Sequence, residues 1–123
     1  MTRVDESQKR LHYRSGASYP VWYRDFRDMT SQGDWVHSVS RDLSGGGASF
    51  EMPDSPPVSR KPGDLLELQV VVPPTPVFAI AEVVRVFQDE RGSWCAGVKF
   101  ASIDAPDRDR IVRTVLSEGV KGR

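Results

Sequence analysis

The feature that most constrains this fold is a series of short β-prone segments separated by turn-forming residues. Residues 34–44, DWVHSVSRDLS, alternate two kinds of side chain with a period of two, as in a strand with two different faces. Five other segments are rich in aromatic, aliphatic and β-branched residues: 18–24, 47–52, 65–72, 78–88 and 94–100. Six strands with turn signals between them predict a small barrel or sandwich.

The connections between these segments carry their own signals. Gly45 to Gly47 predict a tight turn that joins 34–44 and 47–52 as an antiparallel pair. Residues 53–64 contain four prolines and are expected to form a loop. Residues 72–77 predict a break in the sheet, and 89–93 predict a hairpin turn.

The end of the chain changes from a strand-like to a helical period. Within residues 102–119, Asp104 can cap a helix and Pro106 fits its first turn, while Gly119 is expected to end it. The apolar residues predicted to share one face are Ile111, Val112, Val115 and Leu116. Such a helix is expected to close one mouth of the β unit.

Composition excludes several classes of function. The 17 basic and 17 acidic residues cancel, so a broad electrostatic grip on DNA or on an anionic membrane is not expected. The sequence has a single cysteine, no signal-peptide core and no apolar run of about 20 residues. These features predict a cytoplasmic protein without a membrane span. Two histidines and one cysteine make a closed metal site improbable, and no nucleophile motif indicates an enzyme.

Two short patterns carry the remaining chemistry. Arg10 and Arg14 either form part of a solvated basic tail or present two planar cations to a common partner. The stretch from Asp42 to Gly47, DLSGGG, could be a plain hairpin in which side chains bond nearby backbone and the glycines supply positive φ. It could also be a ligand edge, where Asp42 accepts hydrogen bonds from a base and Leu43 points into the core.

The two patterns follow one another along the chain: Arg10-x-x-x-Arg14, then 27 residues, then Asp42-x-Ser44-x-x-Gly47. Together they resemble the signature of the PilZ domain family. The resemblance implies an all-β fold with one helix: a six-stranded antiparallel β-barrel of the split-barrel type, closed by a C-terminal α-helix. It also implies cyclic di-GMP, a bacterial second messenger, as the ligand, with no other cofactor. The boundaries expected from it are a flexible tail at 1–9, the domain at 10–119 and a C-terminal tail at 120–123.

The resemblance further assigns roles to single residues. Arg10 and Arg14 are expected to hold phosphates and guanine, Asp42 to read a guanine edge, and Ser44 and Gly47 to complete the site. The neighbours that could support them are Lys9, Arg41 and Gly46.

The function implied is a receptor whose N-terminal segment changes conformation on binding and signals to a separate protein partner. The alternative is a partner-binding adaptor with weak or no nucleotide affinity. Binding of single-stranded RNA ranks lower, because it needs a basic groove with exposed aromatic side chains.

Overall fold

Six strands and one helix make up the described part of the chain. The computed structural model describes the backbone of residues 18–121 and the side chains of residues 18–118. In chain order the elements are β1 (Pro20–Arg27), β2 (Thr30–Ser44), β3 (Gly47–Glu51), β4 (Leu65–Val72), β5 (Thr75–Gln88), β6 (Trp94–Ile103) and α1 (Ala105–Lys121). All six predicted strands are present, and the predicted loop at 53–64 separates β3 from β4.

The strands close into a barrel with the order β1-β2-β3-β6-β5-β4. Every neighbouring pair is antiparallel, and β4 returns to pair with β1, where Val21 lies opposite Val70. Closure gives each of the six described strands two partners, so none of them presents an open edge that could aggregate. The predicted six-stranded antiparallel barrel with a C-terminal helix is confirmed.

Alternation along the strands fills the barrel with apolar side chains. In β4, for example, Leu66, Leu68, Val70 and Val72 are completely buried while the residues between them are only partly buried. Full burial of one such side chain stabilises the fold by about 1.5–3 kcal/mol. The largest buried side chains contributed by the other strands include Val21, Tyr23, Leu43, Phe50, Val77 and Val83.

Two tight hairpins shift the predicted strand boundaries. Asp28 and Met29 have φ of 53° and 59°, so they form a two-residue turn and let β2 begin at Thr30 rather than at residue 34. The sequence DM carries no glycine or asparagine to signal such a turn. The predicted break at 72–77 also shrinks to two residues, because Val72 pairs directly with Thr75.

Helix α1 packs against the barrel through fewer residues than the pattern predicted. Ile111 and Val115 are buried in the core, whereas Val112 and Leu116 are 39% and 48% exposed. Val112 lies at the edge of this contact, where one of its methyl carbons is beside Gly45. This part of the prediction was too broad.

The C-terminal end of α1 and its polar contact with the barrel were not predicted from the sequence. The helix starts directly after Asp104, as predicted, but continues past Gly119 to Lys121. Arg110 fixes it to the β4–β5 hairpin by donating hydrogen bonds to the carbonyl oxygens of Val72, at 2.7 Å, and Thr75. The helix is therefore tied to the barrel by polar as well as apolar contacts.

A buried arginine holds the proline-rich loop against the barrel. Arg60 has a side chain only 3% exposed and donates to Asp54 and Asp25, each at 2.9 Å. The hydroxyl of Tyr23 also donates to Asp54, at 2.6 Å. Burial by itself would raise the pKa of Asp54, but the hydrogen bonds from Arg60 and Tyr23 outweigh burial and lower it. The carboxylate of Asp54 therefore stays paired with a buried cation.

Candidate functional site

A β-bulge in β2 determines which way the motif side chains point. Ser40 pairs with Phe50 of β3, but Asp42 pairs with the very next residue, Ser49, so β2 contains one extra residue. Strict alternation would turn Asp42 inward together with Ser40. The bulge instead places Arg41 and Asp42 consecutively on the outer surface, half-buried, and Leu43 inside with no exposed surface. The predicted inward direction of Leu43 is confirmed.

Ser44 holds the turn that follows. Its hydroxyl accepts a hydrogen bond from the backbone N–H of Gly46 at 3.2 Å and donates to the carbonyl of Gly47 at 3.4 Å. The residue is buried, at 7% exposure. This is the local turn bonding that the hairpin interpretation of the sequence allowed. Glycines with positive φ are found elsewhere in the described chain, at Gly33, Gly63 and Gly92, and not in this turn.

Two of the three turn glycines make room for protein rather than for a ligand. A Cβ on Gly47 would lie 2.1 Å from the carbonyl oxygen of Val98 in β6. A Cβ on Gly45 would lie 2.7 Å from a methyl carbon of Val112 in α1. Gly46 differs, because it is exposed and a Cβ there would meet nothing closer than the Ser44 hydroxyl at 4.0 Å. The motif glycine Gly47 thus allows β3 to pack closely on β6.

The motif residues line a surface groove of about 310 Å³ over strands β2, β3, β6 and β5. Asp42, Ser44, Gly46 and Gly47 all contribute to it, so the structure brings together every predicted site residue on the β2–β3 hairpin except Arg41. The opposite wall and the floor are made by residues that carried no sequence signal: Ala48, Ser49, Val84, Arg85, Gly97, Val98 and Lys99. This volume lies at the lower end of small-molecule sites, about 300–1,000 Å³.

Arg85 reaches this groove because of a second bulge. Val83 pairs with Val98 and Arg85 with Gly97, so β5 also carries an extra residue and Val84 and Arg85 both face outward. The Arg85 side chain lies across Gly97, where an added Cβ would come within 3.1 Å of its Cγ and Nε atoms. Its guanidinium lies over the ring of Phe87, 4.4 Å from the ring centroid.

Arg41, predicted as a supporting residue, lies beside the groove and is already paired. Its guanidinium is 2.6 Å from a carboxylate oxygen of Asp89 and 3.7 Å from Glu51. It lines a separate depression of about 410 Å³ together with the β5–β6 hairpin. The pKa of Asp89 is lowered, first by the backbone N–H of Ser93 and also by Arg41. Contact of Arg41 with a ligand in the first groove would require this ion pair to open.

The predicted N-terminal site residues lie outside the described part of the chain: Lys9, Arg10 and Arg14. The described chain starts beside the motif strand, however. The N–H of Tyr19 donates to the Ser40 hydroxyl at 2.9 Å, and the N–H of Ser40 donates to the carbonyl of Tyr19 at 2.8 Å. The N-terminal segment therefore joins the barrel two residues from Asp42.

Between residues 18 and 121, no group of three or more His, Cys, Asp or Glu side chains is arranged to hold a metal ion. The helix in that range is neither long nor apolar enough to cross a membrane.

Comparisons with known proteins agree with this architecture. The structure resembles the inhibitor of motility MotI/DgrA of Bacillus subtilis, with a TM-score of 0.79 and 19% identity over 91% of this chain and 52% of the other. It also resembles the PilZ domain of Escherichia coli YcgR with c-di-GMP, with a TM-score of 0.65 and 16% identity over 94% and 95% of the two chains.

A structure of YcgR from Escherichia coli in complex with c-di-GMP gives a TM-score of 0.70 at 14% identity, covering 91% of this chain and 46% of the other. This chain thus spans about half the length of MotI and of that YcgR structure. No curated protein matches it. A family model described as the PilZ domain matches residues 8–117, which is most of the sequence. With the closed barrel and the motif on its β2–β3 hairpin, this match shows that the chain belongs to the PilZ domain family.

Proposed function

We propose that this chain is a receptor for cyclic di-GMP and binds it in the groove lined by Asp42, Ser44, Gly46 and Gly47. The observation that carries the proposal is that these residues meet in one groove, in a family of which YcgR has been solved with c-di-GMP. The proposed role is binding rather than catalysis, and the proposed compartment is the cytoplasm.

The chemistry of the groove suits one half of this ligand. Guanine offers hydrogens on its N1 and N2 atoms, and the carboxylate of Asp42 can accept both. Hydrogen bonds to a charged acceptor are the stronger kind and contribute about 1.5–3 kcal/mol each. The β2 bulge keeps this carboxylate at the surface, where a ligand can approach it.

The place where the chain before β1 joins the barrel supports the predicted role of Arg10 and Arg14 in binding the nucleotide. Tyr19 is bonded to Ser40, and Arg14 precedes Tyr19 by only five residues. Five extended residues span at most about 17 Å, which is enough to reach the groove beside Asp42. Two guanidinium groups delivered there would neutralise the two phosphates of cyclic di-GMP and form forked contacts with them.

Isothermal titration calorimetry with cyclic di-GMP tests the binding. We expect Asp42→Ala and Arg14→Ala each to weaken binding about 10- to 100-fold, the equivalent of one or two charge-assisted hydrogen bonds. The matched controls are Asp109→Ala and Arg113→Ala, which remove exposed charges on α1. Absence of binding by the wild type at about 1 mM nucleotide would reject the receptor and favour the adaptor alternative.

The signalling step needs a separate test. If the N-terminal segment folds over the nucleotide, hydrogen exchange in residues 8–16 should slow when cyclic di-GMP is added, because ordered amides exchange less often. The Asp42→Ala protein at the same nucleotide concentration serves as the control. Unchanged exchange in a nucleotide-saturated wild type would remove the conformational switch while leaving the binding itself intact. A protein partner would then have to recognise the nucleotide directly.

A further inference from the structure

We propose that Arg85 is an additional nucleotide-binding residue, on whose guanidinium plane a purine base of the ligand stacks. This inference rests on the proposed function and assigns a role to the groove wall opposite Asp42. Arg85 lies outside the two sequence motifs, and its place in the groove emerges only from the bulge in β5.

The surroundings of Arg85 keep its guanidinium plane in position. The central carbon of the guanidinium lies over the Phe87 ring, 4.4 Å from the ring centroid. The stem lies across Gly97, which has no side chain to lift it off the sheet. A guanidinium already stacked on one aromatic ring can offer its other face to a nucleobase, and both contacts gain from cation–π attraction.

The position across the groove fits a base held from the other side by Asp42. Asp42, Ser49, Gly97 and Arg85 pair in register across four neighbouring strands. Strands lie about 4.8 Å apart, so the backbones of the two outer residues are about 14 Å apart along the surface. The two middle positions, Ser49 and Gly97, carry only a hydroxymethyl group and a hydrogen, so no large side chain of their own separates Asp42 from the Arg85 stem, which lies over Gly97.

Arg85 also has no competing ionic role among the residues that the structure describes. No carboxylate in residues 18–118 forms an ion pair with it, whereas Lys99 on the same wall lies 3.7 Å from Glu82. The side chain is exposed, so its charge contributes little to folding. An arginine fixed by an aromatic ring and facing a groove is therefore better explained by a ligand than by stability.

Calorimetry with cyclic di-GMP on the full chain tests the proposal with two substitutions at one position. Arg85→Ala should weaken binding about 10- to 100-fold, as expected for the loss of one stacked base. Arg85→Lys keeps the charge but loses the plane, so it should lose most of the same affinity. Arg113→Ala, an exposed arginine on α1, is the control, and the melting temperature of each ligand-free protein should match the wild type.

Each outcome decides one point. Binding by Arg85→Ala within twofold of the wild type would overturn the role of Arg85 and leave the receptor proposal standing. Wild-type affinity in Arg85→Lys would show that charge alone matters and would overturn the stacking contact. A wild type that binds no cyclic di-GMP would overturn the receptor proposal, and the role of Arg85 with it.

Discussion

The motif glycine Gly47 should be required for stability even when no nucleotide is present. The perturbation is Gly47→Ala, which adds one methyl group 2.1 Å from the Val98 carbonyl oxygen and 3.0 Å from the Lys99 Cα. Both neighbours are backbone atoms of β6, and Gly47 pairs with Lys99 in the barrel. No side-chain rotation can relieve such a contact, so β3 and β6 must move apart by about 1 Å.

The cost follows from that displacement. Overpacking that forces a backbone shift costs about 1–3 kcal/mol and occasionally more. Gly47 begins β3 and pairs with Lys99 in a closed ring of strands, so β3 has no free edge toward which it could move away. The lower entropy of the unfolded alanine chain returns about 0.4–1 kcal/mol. We therefore expect a net loss of about 1–2 kcal/mol in the free energy of unfolding, out of a total of about 5–15 kcal/mol for a domain. The melting temperature should fall by about 5–10 °C.

Urea and thermal denaturation, followed by circular dichroism, measure this loss. The matched control is Gly46→Ala, one residue earlier, where the added methyl group meets nothing closer than 4.0 Å and stability should change by less than about 0.5 kcal/mol. Equal stability of the two variants would refute the reasoning, because it would show that the close approach of β6 to Gly47 does not constrain this position.

Two other predictions concern the buried ion pairs of the proline-rich loop. Arg60→Met should lower the free energy of unfolding by about 3–5 kcal/mol in urea titrations, because it leaves Asp54 and Asp25 without their cation. The control is Lys61→Met, which should have almost no effect because the Lys61 side chain is 80% exposed. The lowered pKa of Asp54 means that its stabilising effect is complete above the unfolded-state pKa of about 3.9 and fades as the pH falls below it. Asp54→Asn should therefore flatten the dependence of stability on pH below about 4, and an unchanged acid slope would contradict this.

The sequence predicted the architecture well because the strand signals are local. Alternation, prolines and the change to a helical period are enough to give the order of the elements, and the PilZ resemblance gives the closed barrel. The errors occurred at two boundaries where the residue types do not match the backbone conformation that is observed. The turn at Asp28 and Met29 uses two residues with positive φ that the sequence does not mark. Helix α1 continues through Gly119 although that residue favours a stop.

The sequence identified only part of the candidate site, because the direction of its side chains depends on two β-bulges. The motif identified Asp42, but its outward direction depends on the bulge between Ser40 and Asp42, and strict alternation of the strand would have turned it inward. A matching bulge in β5 brings Arg85 to the same surface. A bulge is a property of two paired strands, so the residue types of one strand alone do not reveal it. The family signature therefore includes residues of one wall of the groove, such as Asp42, and does not include Arg85 on the opposite wall.

The geometry also separates two kinds of motif residue that a signature treats alike. Asp42 faces the groove, whereas Ser44 bonds the turn backbone and Gly47 makes room for β6. Replacing Ser44 or Gly47 should therefore reduce nucleotide binding by distorting the hairpin, even if neither residue touches the ligand. Loss of binding in those variants cannot be read as loss of a contact. A variant such as Asp42→Ala measures a contact directly only when its ligand-free stability is measured beside its affinity and matches the wild type.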